Sequence, residues 1–139
     1  MGIQDVKNIL NQYQILKLMI DDLDRQIKEN EIRMTSIKAG KISGMPRGGV
    51  AVTFADMIAD NEELESRKLR FEKISKQKKE IVQAYIDTVL SVKHNRLLTL
   101  FYIKGLSIYE IAEKENYSDR HAFRIYEEAL KMVDIGLDL

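Results

Sequence analysis

"SIYEIAEKENYSDRHAFRIYEEAL", residues Ser107–Leu130, carries the pattern of two short helices joined by a tight turn. Ser107 is a favoured N-cap residue and Glu110 follows three residues later, which makes a capping box. Asn116 falls in the turn, where a left-handed conformation is tolerated, and Ser118 can cap the second helix. The spacing predicts a helix-turn-helix, an arrangement that places its second helix in the major groove of DNA.

The apolar residues of this segment recur at helical spacing and mark one inward face on each helix. A further helix is predicted upstream, in "HNRLLTLFYIKG" at residues 94–105, and Gly105 is its expected stop residue. We expect residues 118–133 to form the recognition helix of the motif. The predicted inward residues are Leu97, Leu98, Phe101 and Ile103, then Ile108, Ile111 and Ala112, then Ala122, Ile125, Ala129, Leu130 and Val133.

The motif is acidic, with six carboxylates against Lys114, Arg120 and Arg124 between residues 107 and 130. Five of the six lie on the first helix or late in the second, and Asp119 alone falls on the proposed recognition face. Arg120 and Arg124 stand four residues apart on one exposed face, where either can pair bidentately with guanine. We therefore expect weak non-specific affinity, and a need for a dimer or for polymerase to hold the motif on DNA.

The stretch from about Leu97 to Val133 resembles, without a gap, the helix-turn-helix in region four of the primary bacterial sigma factors. In that family the first helix has Ser or Thr, an apolar residue, Glu, an aliphatic residue and a small residue. Gly or Asn, an apolar residue and Ser or Thr follow at the turn, and the second helix has Ile and a closing Ala-Leu. The matching residues here are Ser107, Ile108, Glu110, Ile111, Ala112, Asn116, Tyr117, Ser118, Ile125, Ala129 and Leu130.

This resemblance implies DNA contacts on the first turns of the second helix. Base and phosphate contacts fall at Asp119, Arg120, Phe123 and Arg124, with Ser118 or its backbone at phosphate. Phe123 either touches a thymine methyl group or serves packing. Asp119 and Phe123 depart from the family, which usually has polar or basic groups at these positions. The target sequence therefore stays open, and recognition of a minus-35 element is not implied.

The whole chain resembles small phage-encoded transcriptional regulators of the ArpU and RinA type, in which a sigma region-four module follows a helical N-terminal segment. The interruption "SGMPRGG" at residues 43–49, followed by the motif, fits that layout. The resemblance implies a DNA-binding transcription regulator that activates late or packaging genes in a phage or prophage of Gram-positive bacteria. We expect such a regulator to act by recruiting or contacting RNA polymerase.

The N-terminal part of the chain predicts a long helical hairpin. Core positions step alternately by three and four along residues 6–37, as in coiled-coil packing, and Asn30 is their one polar member. Asn30 either fixes the register of the pairing or lies at a frayed edge. A second helix is predicted from near Phe54 to about Val92. The predicted core residues are Val6, Ile9, Tyr13, Leu16, Ile20, Leu23, Ile27, Asn30, Met34 and Ile37, widened by Leu10, Ile15 and Met19, then Met57, Leu64, Phe71, Ile74, Ile81, Tyr85, Val89 and Val92.

Four glycines and the single proline of the chain fall in residues 39–53, which predicts a loop between the two helices. The loop is longer than a hairpin needs, and we expect it to be flexible. The prediction is an all-α chain in two domains: a coiled-coil-like hairpin at 1–92 and a DNA-binding helix-turn-helix at 93–139. A bare hairpin buries little surface, so we expect it to form a homodimer.

The charges of the chain balance, with 22 basic and 22 acidic residues, which argues against a protein that coats nucleic acid by charge alone. Residues 56–65 carry five acids and no base, and Arg67–Lys79 carry seven bases and one acid. Such blocks are typical of solvated helix faces or partner contacts, and we considered the basic block, His94 and Arg96 as added phosphate contacts. The N-terminal "MGIQDVKN" and the lack of a long apolar run predict a cytoplasmic protein without a membrane span.

Catalytic patterns are not found in the sequence. There are no cysteines, and His94 and His121 have no ligand or triad partners at useful spacing, so we expect neither an enzyme, a metal nor a cofactor. His121 is interpreted as a helix-surface residue. Two other functions stay open: a DNA-packaging protein of the small-terminase kind, which forms rings, and a sigma-like module that binds polymerase or another protein without DNA.

Overall fold

The structure is a computed structural model that describes residues 2–38 and 53–136, with side chains up to residue 36 in the first range. The predicted all-α class is confirmed, because every regular element of the described residues is helical. None of these helices is both long enough and apolar enough to span a bilayer. The helices are α1 (Ile3–Leu10), α2 (Gln12–Lys38), α3 (Phe54–Ile86), α4 (Val92–Leu98), a π-helical segment (Thr99–Ile103), α5 (Ile108–Glu115) and α6 (Asp119–Met132).

The predicted first helix is divided into α1 and α2 by a break at Asn11. The Asn11 amide donates to the Lys7 carbonyl and the Asn11 carbonyl accepts from Ile15, so hydrogen bonding continues through the break. The predicted core residues follow one face, since Val6, Leu23 and Ile27 are buried and the others are half-buried. Two residues expected to widen that face, Ile15 and Met19, are exposed instead, and the side chain of Ile37 lies outside the described part.

The second helix ends at Ile86, six residues before the predicted end near Val92. The Asn95 side chain explains this, because its amide donates to the carbonyls of Ile86 and Val89 and so satisfies groups freed at the end of α3. Val92 was predicted on the inner face, which is wrong: it opens α4 and its surface is 85% exposed.

The inner face of α3 holds polar as well as apolar residues. Asn61 and Ser75 are buried and Lys68 and Lys78 are half-buried, at positions that alternate with Met57, Leu64, Phe71 and Val82. Ile74, predicted on this face, is exposed. A polar residue is tolerated there when it finds a partner, and Lys68 Nζ donates to Asp24 Oδ1 at 3.0 Å.

The chain forms two compact units, Met1–Lys17 with Ile74–Leu139 and Leu18–Lys73. This differs from the predicted division into residues 1–92 and 93–139. The reason is a shared core in the first unit, where α1 and the end of α3 pack with α4, the π-helical segment and α6. That core consists of Val6, Leu10, Val82, Ile86, Val89, Leu98, Tyr102, Ile103, Ala129, Leu130 and Val133.

The helix that α4 opens ends at Gly105, as predicted, but it does so through the π-helical segment. The Lys104 amide donates to the Thr99 carbonyl at 3.1 Å, and Gly105 has a φ of 77°, which favours glycine. Gln14 Nε2 donates to the carbonyls of Tyr102 and Ile103 at 2.8 and 3.3 Å. The amide of Gln14 thereby satisfies the last carbonyls of the segment.

Of the predicted loop at 39–53, only Thr53 lies within the described residues. Thr53 Oγ1 accepts from the Asp56 amide at 3.1 Å, and Asp56 Oδ2 accepts from the Thr53 amide at 3.1 Å. This reciprocal pair caps α3, and hydrogen bonds from the backbone amide and the side chain of Thr53 lower the pKa of the Asp56 carboxyl.

Candidate nucleic-acid interface

Helices α5 and α6 are joined by a turn with the local geometry that the sequence predicts. Ser107 Oγ accepts from the Glu110 amide at 3.1 Å and Glu110 Oε1 accepts from the Ser107 amide at 3.2 Å, which completes the capping box. Asn116 has a φ of 60°, in the left-handed region, and the Tyr117 amide donates to the Ala112 carbonyl at 2.8 Å. The chain therefore leaves α5 in a fixed direction.

The start of α6 is fixed by Ser118, whose hydroxyl accepts from the His121 amide at 3.1 Å. Asp119 lies in the first turn, where a negative charge suits the helix dipole. The inward face of the helix packs as predicted, with Ala122, Ile125, Ala129, Leu130 and Val133 all buried. With one face of α6 held in the core, the opposite face is presented outward.

All five predicted contact residues lie on the surface of the first turns of α6. Ser118, Asp119, Arg120, Phe123 and Arg124 are exposed. All of them except Asp119 line one open concavity of about 580 Å³, together with His121 and Glu127. The structure thus brings four of the five predicted residues to one site.

Phe123 is held by an aromatic partner that sequence reasoning missed. Its ring and the Tyr109 ring form a T-shaped pair with a centroid distance of 5.6 Å, an arrangement favoured by aromatic quadrupoles. Phe123 remains 39% exposed and Tyr109 is 61% exposed. Phe123 therefore packs and stays accessible at once. The sequence did contain one indication of this contact. Tyr109 falls on the outer side of a helix whose inner side is formed by Ile108, Ile111 and Ala112.

Arg124 is oriented by its own helix. Its Nη2 lies 2.7 Å from His121 Nδ1, and its Nε lies 3.8 Å from Glu128 Oε1. His121 in turn meets the Tyr117 ring at a centroid distance of 5.1 Å. The guanidinium is thus placed along α6 by side chains one turn away, and a surface contact of this kind leaves it free to bind a new acceptor.

His94 is not available for phosphate, contrary to the expectation from the sequence. The imidazole is buried, with Nδ1 2.6 Å from Ser91 Oγ and Nε2 2.9 Å from Glu128 Oε2. The hydrogen bond between His94 and Glu128 is the largest cause that lowers the pKa of the Glu128 carboxyl. The charges of His94 and Arg124 lower it further. His94 therefore connects α4 to α6 rather than facing solvent.

The other two expected phosphate contacts are partly engaged within the protein. Arg96 Nε donates to Glu115 Oε1 at 2.5 Å, which ties α4 to the end of α5. In the basic block, the hydrogen bond from Lys68 lowers the pKa of Asp24 and raises that of Lys68. The remaining exposed cations of the block are Arg67, Arg70, Lys73, Lys76 and Lys79.

The groups that line this concavity are two guanidinium groups, a phenyl ring, an imidazole, a hydroxyl and a carboxylate. Within residues 2–38 and 53–136, no group of three His, Asp or Glu side chains is placed to hold a metal ion. A family model matches residues 31–134, a range that begins within α2 and ends just after α6. No curated protein matches the chain, and no solved structure does.

Proposed function

The chain belongs to the family described as "Protein of unknown function (DUF1492)", and for this member we propose a sequence-specific DNA-binding transcription regulator. The proposed contact surface is the outer face of α6, with Arg120 and Arg124 at base edges or phosphates and Phe123 at a thymine methyl group. Ser118 and the free amides of the first turn of α6 would face a phosphate.

One observation carries the proposal: the outer face at the start of α6 presents two guanidinium groups and an aromatic edge. The left-handed turn at Asn116 and the Ser118 cap fix where this face begins. A helix anchored in this way and exposed along one side is the element that helix-turn-helix proteins insert into the major groove. Arginine is the side chain that most often pairs with guanine there.

The acidity of the segment is compatible with this function, because several of its carboxylates are engaged within the protein. Glu110 completes the capping box, Glu115 accepts from Arg96, and Glu128 accepts from His94. Glu113 and Glu127 remain exposed. The few free cations nearby support few phosphate contacts, so we expect specific contacts, rather than counterion release, to dominate the affinity.

We further propose that the protein activates late phage genes through contact with RNA polymerase. The support for this role is the resemblance to sigma region four and to regulators of the ArpU and RinA type. The alternative of a small-terminase-like ring predicts a larger assembly than a dimer, which sedimentation of the full chain distinguishes.

The test begins with selection of bound duplexes from a random library by the full chain. Affinity for the selected duplex is then measured by fluorescence anisotropy for Arg120→Ala/Arg124→Ala. We expect a loss of about tenfold or more, because one bidentate base contact contributes about 1–3 kcal/mol.

The matched control is Arg25→Ala/Arg33→Ala, which removes two exposed arginines from α2 and changes net charge equally. This control should retain wild-type affinity and salt dependence. If the α6 variant binds the selected duplex as tightly as the control does, or if no duplex is enriched at all, the proposed function is wrong.

A further inference from the structure

Between residues 62 and 76, a stripe of five exposed residues runs along α3 on the side away from its inner face. The stripe consists of Glu62, Glu65, Leu69, Lys73 and Lys76, and Leu69 is 66% exposed. The residues follow one another at intervals of three, four, four and three. With 3.6 residues per turn these intervals place all five within an arc of about 80°. The stripe is therefore one continuous surface of a single helix.

The charges of this stripe are arranged symmetrically about Leu69. The two acids precede Leu69 by four and seven residues, and the two bases follow it by four and seven residues. Two copies of α3 placed antiparallel, with a two-fold axis at Leu69, would set Glu65 opposite Lys73 of the other copy. The same register sets Glu62 opposite Lys76, so every charge of the stripe meets its opposite.

These four charges are available for a partner. Among the described residues, none of them takes part in an ion pair within the chain. Lys68, which directly precedes Leu69 in the chain, is by contrast paired with Asp24. The exposed Leu69 lies at the centre of the stripe and is flanked by charged side chains. Apolar core positions flanked by charged positions are typical of paired helices.

We propose that this stripe binds a second copy of the chain, α3 against α3 in antiparallel orientation, with Leu69 at the two-fold axis. A parallel pairing would place like charges opposite each other. Nucleic acid fits the stripe poorly, because Glu62 and Glu65 would repel its phosphates. A purely acidic or purely basic partner would meet one favourable half and one repulsive half. A partner that fits the whole stripe must present bases opposite the two acids and acids opposite the two bases. A second α3 in antiparallel orientation does so.

The test uses charge reversal in the full chain, without DNA, and reads the dimer dissociation constant by sedimentation equilibrium. Glu65→Lys sets lysine against Lys73 twice in each dimer, and Lys73→Glu sets glutamate against Glu65 twice. We expect each variant alone to dimerise at least about tenfold more weakly, because like charges are then opposed. The control Glu63→Lys reverses an exposed charge about 120° around α3 from Leu69 and should keep the wild-type constant.

Mixing the two variants separates a lost contact from a damaged fold. In a mixed dimer, the lysine introduced at position 65 of one chain meets the glutamate introduced at position 73 of the other. The second contact joins the unchanged Lys73 of the first chain to the unchanged Glu65 of the second, so the pairing is restored. We expect the Glu65→Lys and Lys73→Glu chains to form a heterodimer with near wild-type affinity. The double variant Glu65→Lys/Lys73→Glu should regain homodimerisation for the same reason.

A second readout uses the fact that the chain has no cysteine. Leu69→Cys should form a disulfide-linked dimer under mild oxidation, while Glu63→Cys should not, because only the first pair of sulfurs meets at the axis. A monomeric wild-type chain at high micromolar concentration overturns the proposal. So does a dimer that single reversal leaves intact, or a mixture that shows no heterodimer. Because DNA is absent throughout, these outcomes are independent of the proposed DNA binding.

Discussion

Asn116 sets the junction between α5 and α6, because its left-handed backbone reverses the chain after Glu115. Asparagine tolerates this conformation, whereas a residue with an ordinary β-carbon pays about 1–2 kcal/mol for it. We expect Asn116→Ala to lower the free energy of unfolding by about 1 kcal/mol, and Asn116→Gly to leave it unchanged or higher. Urea denaturation followed by circular dichroism measures both.

The control for this prediction is Asn8→Ala, at an exposed position within α1. Exposed helical positions change stability by less than about 0.5 kcal/mol, so this variant should unfold like the wild type. Equal stabilities of the alanine and glycine variants at Asn116 would mean that the turn does not depend on its left-handed residue.

Single residues with local roles were the most predictable part of the molecule. The caps at Ser107 and Ser118, the turn at Asn116 and the stop at Gly105 are all where the sequence places them. Each depends on hydrogen bonds or backbone angles within a few residues, so a short stretch contains the needed information. Tyr109 and His94 were not predictable in this way, because their partners Phe123 and Glu128 lie 14 and 34 residues away.

The pairing of α2 with α3 contains a polar contact that decides between the two interpretations of Asn30. Asn30 Nδ2 donates to Asn61 Oδ1 at 2.9 Å, and Asn61 is only 7% exposed. Asn30 therefore does not lie at a frayed edge, since its side chain donates to the buried amide oxygen of Asn61 on the opposing helix. A matched polar pair at core positions favours one register of two helices over its neighbours.

Asn30→Ala should lower the free energy of unfolding by about 1–3 kcal/mol, because it leaves the Asn61 amide buried without this partner. Asn30→Leu/Asn61→Leu should recover that loss, since an apolar pair needs no hydrogen bond. Chemical denaturation of these two variants measures both changes, and a double-mutant cycle of Asn30→Ala, Asn61→Ala and Asn30→Ala/Asn61→Ala measures the coupling. Additive effects of Asn30→Ala and Asn61→Ala would show that the two amides do not depend on each other.

The helices themselves were predictable to the extent that apolar residues mark their faces. On α2 the alternation of three and four residues identified a face whose described members are all buried or half-buried. On α3 the same method selected the exposed Ile74 and passed over Asn61, Lys68 and Ser75. Asn61 and Lys68 can occupy the inner face because of their partners Asn30 and Asp24 on α2, which periodicity within α3 cannot reveal.

The division of the chain into compact units was the least predictable feature. Periodicity marks the apolar face of a helix but not the segment on which that face packs. The end of α3 packs with α6, since Val82 and Ile86 belong to the same core as Ala129 and Leu130. Which residues form that core depends on which distant segments of the chain meet. Helix α1 also contributes to it, through Val6 and Leu10. The resemblance to sigma region four spans only about Leu97 to Val133, so it carries no information on α1.

The proposed dimer and the proposed DNA contact together predict the symmetry of the target. A protein dimer with a two-fold axis binds two half-sites related by that axis, so the wild-type chain should enrich inverted repeats from a random duplex library. Sequencing of the selected pool measures this. The Glu65→Lys chain, with a weakened dimer, should enrich single half-sites instead, and Glu63→Lys should enrich the same repeats as the wild type.

Direct repeats in the wild-type pool, or inverted repeats retained by the Glu65→Lys chain, would contradict this combined prediction. In the first case the DNA contact is supported and the two-fold arrangement is not. In the second case the DNA itself, rather than α3, brings the two copies together.

The π-helical segment has a consequence for how this protein tolerates changes in length. Leu97 and Leu100 pack in the cluster beneath α5 and α6, while Leu98, Tyr102 and Ile103 pack in the core that α1 joins. A π turn takes about one residue more than an α turn. Deleting one residue at Thr99 would restore ordinary α-helical hydrogen bonds, yet it would rotate Tyr102 and Ile103 by about 100° relative to α4. The shorter chain would have a more regular helix and a poorer fit to both clusters, because the extra residue of the π turn sets which side chains face each of them.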